Sequence, residues 1–429
     1  MWISEIFAFG IKIGKVFVCM NTISKSIDSF KTFNPSILQS KVASTPSFLG
    51  KINLNALKFD AATFSERAKV LVKQPAMVRD SVNPMVSPDM LKHLGDPFAT
   101  FNPGVIKDEN GGVHLLVRTV VGKNYPTPPF VSSFTYGFSK DGKTIDPGSM
   151  KVVVGPNKRF PMGFEDPRIT KVEGEDKYNI ICTGYDGKHP MMCRWTTTDL
   201  ADQSKYQFEG PIGPKERLIP GGDDKDALLL TKKIIGEDGK EKYGILHRVG
   251  KNIQLILVDN LRQLKSQKLW KKWLKPDELE KNTILRAKPE IGEYKLGGGP
   301  PPIETKEGLL FIDHFSTKSI EQEIESGIRR EYCANAFLTD RNDPTKVIAR
   351  SPYPIMKPEM VYEKDGPVPG VVFPQGLVQN GDNLNVYYGC GDKNVGVAET
   401  NLPALLKYLR QFNADGKRLQ KWPSAPWVK

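Results

Sequence analysis

Gly112-Val-His-Leu-Leu-Val-Arg118 is a short apolar run that ends on a charged side chain, and the same unit returns four times along the chain. The later copies read Lys177-Tyr-Asn-Ile-Ile-Cys-Thr183, Lys242-Tyr-Gly-Ile-Leu-His-Arg248, Gly308-Leu-Leu-Phe-Ile-Asp-His314 and Asn383-Leu-Asn-Val-Tyr-Tyr-Gly389. Their start points differ by 65, 65, 66 and 75 residues. Turn formers stand in front of each copy: Asn110-Gly111, Gly174-Glu-Asp176, Asp238-Gly239, Glu307 and Gly381-Asp382. A period of this size signals a repeat architecture. Apolar strands bounded by turns make each unit a small antiparallel sheet, not a helix pair. Such sheets closed into a ring form a propeller, so five copies predict an all-β, five-bladed β-propeller. Its central depression would let every blade aim a side chain at one ligand.

The propeller is expected over residues 91–400, with partly helical extensions on both sides. Residues 1–90 read as an N-terminal extension, partly helical or disordered, and 401–429 as a C-terminal helix and tail. Up to Phe59 the only acids are Glu5 and Asp28. The apolar run from Ile6 to Met20 is broken by Lys12 and Lys15, which makes it a poor membrane span. It also lacks a clear small-residue cleavage site. Low acidity with Ser and Lys faintly resembles an organellar presequence, but a plain extension is the preferred reading. Thr63-Phe-Ser-Glu66 has the form of a capping box. Ser87-Pro88 opens a second helix that stops at Gly95. Leu402, Leu405, Leu406 and Leu409 follow a helical apolar stripe.

Composition narrows the function. Charged and apolar fractions are those of an ordinary soluble globular chain. Cys19, Cys182, Cys193, Cys333 and Cys390 are scattered, without metal or small-disulfide spacing, and read as reduced thiols in a cytoplasmic protein. The five His show no metal-type spacing either, so no metal site is expected. The net charge of +12 favours anionic partners.

Upstream of each apolar unit lies a second, polar segment. These read Phe101-Asn-Pro-Gly104, Gly163-Phe-Glu-Asp-Pro-Arg168, Asp223-Asp-Lys-Asp-Ala227, Gly297-Gly-Gly-Pro-Pro-Pro-Ile303 and Phe373-Pro-Gln-Gly376. Surface turns carry the same residue types, which accounts for any one segment. It accounts poorly for five in phase with the repeat. In Glu165-Asp166-Pro167-Arg168 a proline restricts the backbone before it and a cation stands beside two acids.

Gly163-Phe-Glu-Asp-Pro-Arg-Ile169 resembles the signature of glycoside hydrolase family 130, the mannoside phosphorylases and related mannosidases. Further similar motifs follow in the family's order. Asn102-Pro103-Gly104 with Arg118 comes first, then Lys225-Asp226-Ala227 and His247-Arg248. After these stand Lys295-Leu-Gly-Gly-Gly-Pro-Pro-Pro-Ile303, Asp313-His314, Tyr332, Tyr362-Glu363 and Tyr387-Tyr-Gly-Cys-Gly-Asp392. The resemblance spans roughly residues 95 to 400 and independently implies a five-bladed propeller.

The resemblance implies an inverting phosphorylase that transfers a mannosyl group from a β-mannoside to inorganic phosphate, a glycosyltransferase-type reaction. The matching acid is Asp166, thought in the family to act through the 3-hydroxyl of the bound mannosyl unit. An inverting hydrolase has a second carboxylate to activate water. A phosphorylase needs cations there instead, and Lys225, Arg248, Lys295 and His314 match that phosphate cradle. Arg offers a planar fork to phosphate oxygens and Lys a point charge. Asn102, Arg118, Glu165, Arg168, Asp226, Tyr332 and Asp392 match sugar- or phosphate-binding positions, with Glu165 expected to partner Arg168. The implied partners are a mannose-containing oligosaccharide and phosphate, with phosphate as co-substrate and no other cofactor, and a homo-oligomer is left open.

Each residue also has a plainer reading: solvated surface lysines, strand ends satisfied at a blade edge, a tyrosine in packing. Lys225 stands where some relatives have Arg, which keeps the charge and loses the fork. Three other functions compete. A water-using inverting β-mannosidase of the same family would lack the phosphate cations. A non-catalytic propeller platform would not need Asp166 with those four residues. Trp270-Lys-Lys-Trp273 with the flanking Lys265, Lys268 and Lys275 has the make-up of a nucleic-acid patch, which binds backbone by charge and bases by stacking, but a solvated amphipathic edge between blades three and four is the preferred reading.

Overall fold

The computed structural model describes residues 73–215, 218 and 224–419. Five antiparallel sheets follow one another along the chain. In each, the polar segment forms the first strand and the apolar unit the second. Blade one consists of Ala99–Lys107, Val113–Val121, Val131–Ser139 and Lys151–Val154. Blade two consists of Phe164–Lys171, Tyr178–Tyr185, Pro190–Thr197 and Gln207–Pro211. Blade three is built on Asp224–Leu229, Glu241–Val249, Asn252–Val258 and Thr283–Leu285. Blade four is built on Lys295–Gly298, Gly308–Ser316, Tyr332–Thr339 and Val347–Arg350. Val372–Asn380, Asn383–Cys390 and Asn394–Asn401 make blade five. The first strands neighbour one another around a common axis. The chain is a five-bladed β-propeller, as the spacing predicts.

The second strands run continuously apolar because both faces of a blade are covered. Gly308–Ser316 is buried from end to end. Its Leu309, Phe311 and Phe315 pack against Leu246 and Leu255 of blade three. Leu310 and Ile312 point the other way, into a cluster with Val372 and Val386 of blade five. Phe311 stacks on Phe337 at 4.7 Å between ring centroids. Each such side chain, fully buried, contributes roughly 1.5–3 kcal/mol.

The ring is closed from an unexpected place. The outermost strand of blade five is Val78–Arg79, paired antiparallel with Asn394–Asn401. This strand lies within the segment read as an extension, so the blade boundary falls upstream of residue 91. A two-residue strand has too little pattern to mark itself in sequence. Arg79 Nε stands 3.1 Å from Oε1 of Glu363, whose carboxylate is wholly buried and also accepts from Tyr388 Oη at 2.8 Å.

Pro88–Leu94 is a 3-10 helix ended by Gly95 at φ 91, a left-handed conformation that suits glycine. The expected C-terminal helix is Leu402–Leu409, capped by Asn401 and buried through Leu402, Leu405, Tyr408 and Leu409. The capping box at Thr63, the apolar run from Ile6 and the last ten residues lie outside the described residues. Trp270 belongs to a short helix, Gln267–Trp273, where it is fully buried and donates to Leu264 O and Ile212 O at 2.7 and 3.0 Å. That indole is not available to stack on a base. Among the described residues no helix is long and apolar enough to cross a membrane.

Candidate active site

Three first strands carry the same local irregularity. Pairing with the second strand slips between Phe101 and Gly104, between Glu165 and Arg168, and between Lys225 and Leu228. On each bulge one residue adopts a left-handed backbone: Asn102 at φ 47, Asp166 at φ 54 and Asp226 at φ 56. Asn and Asp tolerate this region better than other residues with a Cβ, and a bulge re-aims the side chain it carries. Three of the five polar segments recur in phase because each carries a bulge that turns one short polar side chain into the central cavity. Asp392, after the second strand of blade five, has a similar backbone at φ 52.

The cavity has a volume of about 500 Å³. One side belongs to blades one, two and five, and contains Asn102, Arg118, Glu165, Asp166 and Asp392. Asp166 Oδ1 accepts from Asn102 Nδ2 at 2.9 Å and from Arg118 Nη1 at 3.2 Å. The other arm of Arg118 donates to Glu165 Oε1 at 2.8 Å, and its Nε to Ser132 Oγ at 3.1 Å. Asp392 accepts from Tyr125 Oη at 2.9 Å. Burial pushes the Asp392 carboxyl up to about 6, against the pull of Arg118.

The other side belongs to blades three and four. Lys225 and Arg248 are cross-strand partners, and Lys295, His314 and Tyr332 stand beside them at the cavity. Arg248 Nε donates to Asp226 Oδ2 at 2.8 Å, and His314 Nε2 lies 3.7 Å from the same oxygen. Burial works to raise the Asp226 carboxyl, but the guanidinium groups of Arg248 and Arg168 hold it well below the usual carboxylate range. His314 goes the other way. Burial pushes its imidazole down to about 3, with Arg168 and Arg248 adding to the effect and Asp226 opposing it. It is therefore a neutral ring at physiological pH, offering a hydrogen bond where the sequence reading counted a cation. The approach of His314 to Asp226 requires a glycine at 297, since a Cβ there would collide with both side chains.

Arg168 departs from its expected role. It is fully buried and does not line the cavity. Its Nε donates to Gly299 O at 2.8 Å and its Nη2 to Gly298 O at 2.7 Å, tying blade two to blade four. Glu165 pairs with Arg118 and not with Arg168, because the bulge sends Glu165 and Arg168 to different neighbours. Asp313, next to His314, points to the opposite face of its strand. Its carboxyl is buried and neither oxygen has a hydrogen-bond partner among the described residues.

The cavity also uses residues that sequence reasoning did not single out. Tyr125 and Phe130 come from the loop after the second strand of blade one, Tyr185 ends the second strand of blade two, and Lys188 lies in the loop after it. Ile320, the first residue of the helix Ile320–Ser326, and Arg330, beyond its end, also line the cavity. These loops share a position in the blade but no residue pattern, so only the location could have flagged them.

Residues 73–411 match the family model of glycoside hydrolase family 130, described as beta-1,4-mannooligosaccharide phosphorylase. A 1,2-beta-oligomannan phosphorylase of Thermoanaerobacter is 32% identical over 305 residues, 70% of this chain and 89% of that protein. A beta-1,2-mannobiose phosphorylase of the same organism is 32% identical over 335 residues, 75% of this chain and 96% of that protein. The solved structure of beta-1,2-mannobiose phosphorylase from Listeria innocua, in complex with beta-1,2-mannobiose, superposes with a TM-score of 0.60. That match covers 78% of this chain and 99% of the other at 24% identity, a likeness of fold.

Proposed function

Because this chain belongs to glycoside hydrolase family 130, we propose that it is an inverting β-mannoside phosphorylase. It uses inorganic phosphate as co-substrate and releases α-mannose 1-phosphate and a shortened acceptor. The observation that carries this reading is the division of the cavity. Asp166 stands on one side in a fixed hydrogen-bond set, and Lys225, Arg248, Lys295 and His314 stand on the other.

A phosphate oxygen held by the second group attacks the anomeric carbon while the bond to the leaving oxygen breaks. Asp166 supplies the proton that oxygen needs, relayed through the mannosyl 3-hydroxyl. Both bonds from Asn102 and Arg118 fall on Oδ1, which leaves Oδ2 to carry the proton. The carboxylate formed is then stabilised by the same two donors. Lys225 and Lys295 supply point charge to the phosphate, Arg248 a fork and His314 a neutral donor. Asp226 holds Arg248 in place and offsets part of the positive charge when phosphate is absent.

A mannosidase that inverts with water needs a free carboxylate base opposite the acid. The nearest carboxylate on that side, Asp226, is already engaged by Arg248 and Arg168, which favours the phosphorylase. The test is incubation with β-1,2- and β-1,4-linked mannosides, with and without phosphate. Cleavage should require phosphate, and the product should be the α anomer of mannose 1-phosphate by NMR. Free mannose released at the same rate without phosphate would transfer the assignment to the mannosidase.

A further inference from the structure

A second cavity, of about 650 Å³, lies beside the catalytic one. The two share the chain from residue 188 to 191: Lys188 and Pro190 line the first, His189 and Met191 the second. Strand Pro190–Thr197 begins there and Gln207–Pro211 ends there, so both cavities open at the same end of the blades. The charged lining of the second cavity is basic: Arg159, Lys215 and Lys265 face one acid, Glu209. That acid is already shared, 3.9 Å from Lys265 Nζ and 4.0 Å from Arg194 Nη1, and accepts from Thr196 Oγ1 at 3.4 Å. Met191 and Pro211 supply an apolar wall.

The direction of the reaction connects the two. This step rests on the phosphorylase reading. In an inverting displacement the nucleophile and the leaving group occupy opposite faces of the sugar. With phosphate on blades three and four and the acid on blade two, the acceptor departs toward loops 122–130 and 186–189. An acceptor longer than one unit would then cross residues 188–191 into the basic cavity. We infer that this cavity is an acceptor-side subsite for saccharides bearing an anionic group, a phosphate ester or a uronic carboxylate, beyond the unit next to the scissile bond.

The experiment is titration calorimetry of the full chain with three ligands: a neutral mannotriose, the same trisaccharide phosphorylated at its reducing-end unit, and one ending in a uronic acid. Wild type should bind at least one charged ligand roughly fivefold tighter than the neutral one, the size of one or two part-exposed ion pairs. The preference should shrink in 1 M salt, where screening is short-ranged. It should vanish in the double variant K215Q/K265Q, while turnover of neutral mannobiose stays at the wild-type level and so reports an intact fold. Which charged ligand gains separates phosphate from carboxylate. Equal affinity for neutral and charged ligands in wild type, or a preference that survives the double variant, overturns the subsite. Because titration reads binding without turnover, absence of phosphorolysis would overturn the phosphorylase reading and leave this result to stand or fall alone.

Discussion

Asn102 on the bulge of blade one donates to Asp166 on the bulge of blade two, Nδ2 to Oδ1 at 2.9 Å. Gln375 of blade five holds both bulges from below, its Nε2 donating to Asn102 O at 2.9 Å and Pro167 O at 2.8 Å. The proposed acid is thus oriented by three blades at once. Its position depends on closure of the ring and not on its own strand alone.

Asp166→Asn keeps the size of the side chain and removes the transferable proton. Phosphorolysis should fall by about 10²–10⁴-fold, the usual cost of losing a general acid, with sugar affinity changed far less. Near wild-type turnover would move the role to another carboxylate, Glu165 being the adjacent one in the cavity.

Arg248→Ala removes a charge-assisted contact of the kind that contributes roughly 1.5–3 kcal/mol. The KM for phosphate should rise at least tenfold, or turnover should collapse, and Asp226 loses its closest cation. An unchanged KM for phosphate with normal turnover would remove Arg248 from the cradle.

Gly297→Ala tests the same cradle through shape alone. The added methyl would press on His314 and Asp226, so phosphate affinity should weaken, and the overpacking should lower stability by roughly 1–3 kcal/mol. A variant with wild-type KM for phosphate would show that His314 need not sit beside Asp226.

Burial pushes the Asp313 carboxyl up to about 7 from the ordinary 3.8, despite nearby Arg350 and with nearby Glu293 adding to the rise. The native state then binds the proton more tightly than the unfolded chain. Stability from this group is therefore present below about pH 4 and is lost as pH rises toward 7, by roughly 3–5 kcal/mol in total. Asp313→Asn should flatten that part of the profile and be at least as stable as wild type at pH 7.5. Chemical denaturation at pH 5 and pH 7.5 decides it. A variant less stable than wild type at pH 7.5 by more than 1 kcal/mol would mean the ionised carboxylate has a partner in solution.

Arg79→Ala leaves the wholly buried Glu363 without its cation, an imbalance that costs about 3–5 kcal/mol. The melting temperature should drop by several degrees, and adding Glu363→Gln should restore part of the loss. No change on Arg79→Ala would show that the strand Val78–Arg79 does not hold the ring closed.

The repeat makes the fold legible in the sequence. Apolar second strands and polar first strands alternate with a fixed period, and burial on both faces of a blade forces that pattern on the chain. Part of the candidate site was legible for the same reason, since bulges at one place in successive blades put Asn102, Asp166 and Asp226 in phase. Tyr125, Phe130 and Lys188 were not legible, because loops at the cavity mouth carry no periodic constraint.

What the chain determined by itself, then, was the number of blades and the phase at which Asn102, Asp166 and Asp226 recur, both set by local strand and turn chemistry. Tertiary structure alone decided partnership and charge. Arg118, and not the adjacent Arg168, meets Glu165 and Asp166, while Arg168 is spent on the carbonyls of Gly298 and Gly299 across the ring. His314 is neutral because burial outweighs its one nearby carboxylate. Val78–Arg79 closes the last blade because a sheet edge in a ring must find a strand wherever the chain supplies one. These outcomes depend on distances between residues far apart in sequence, and no local pattern encodes them.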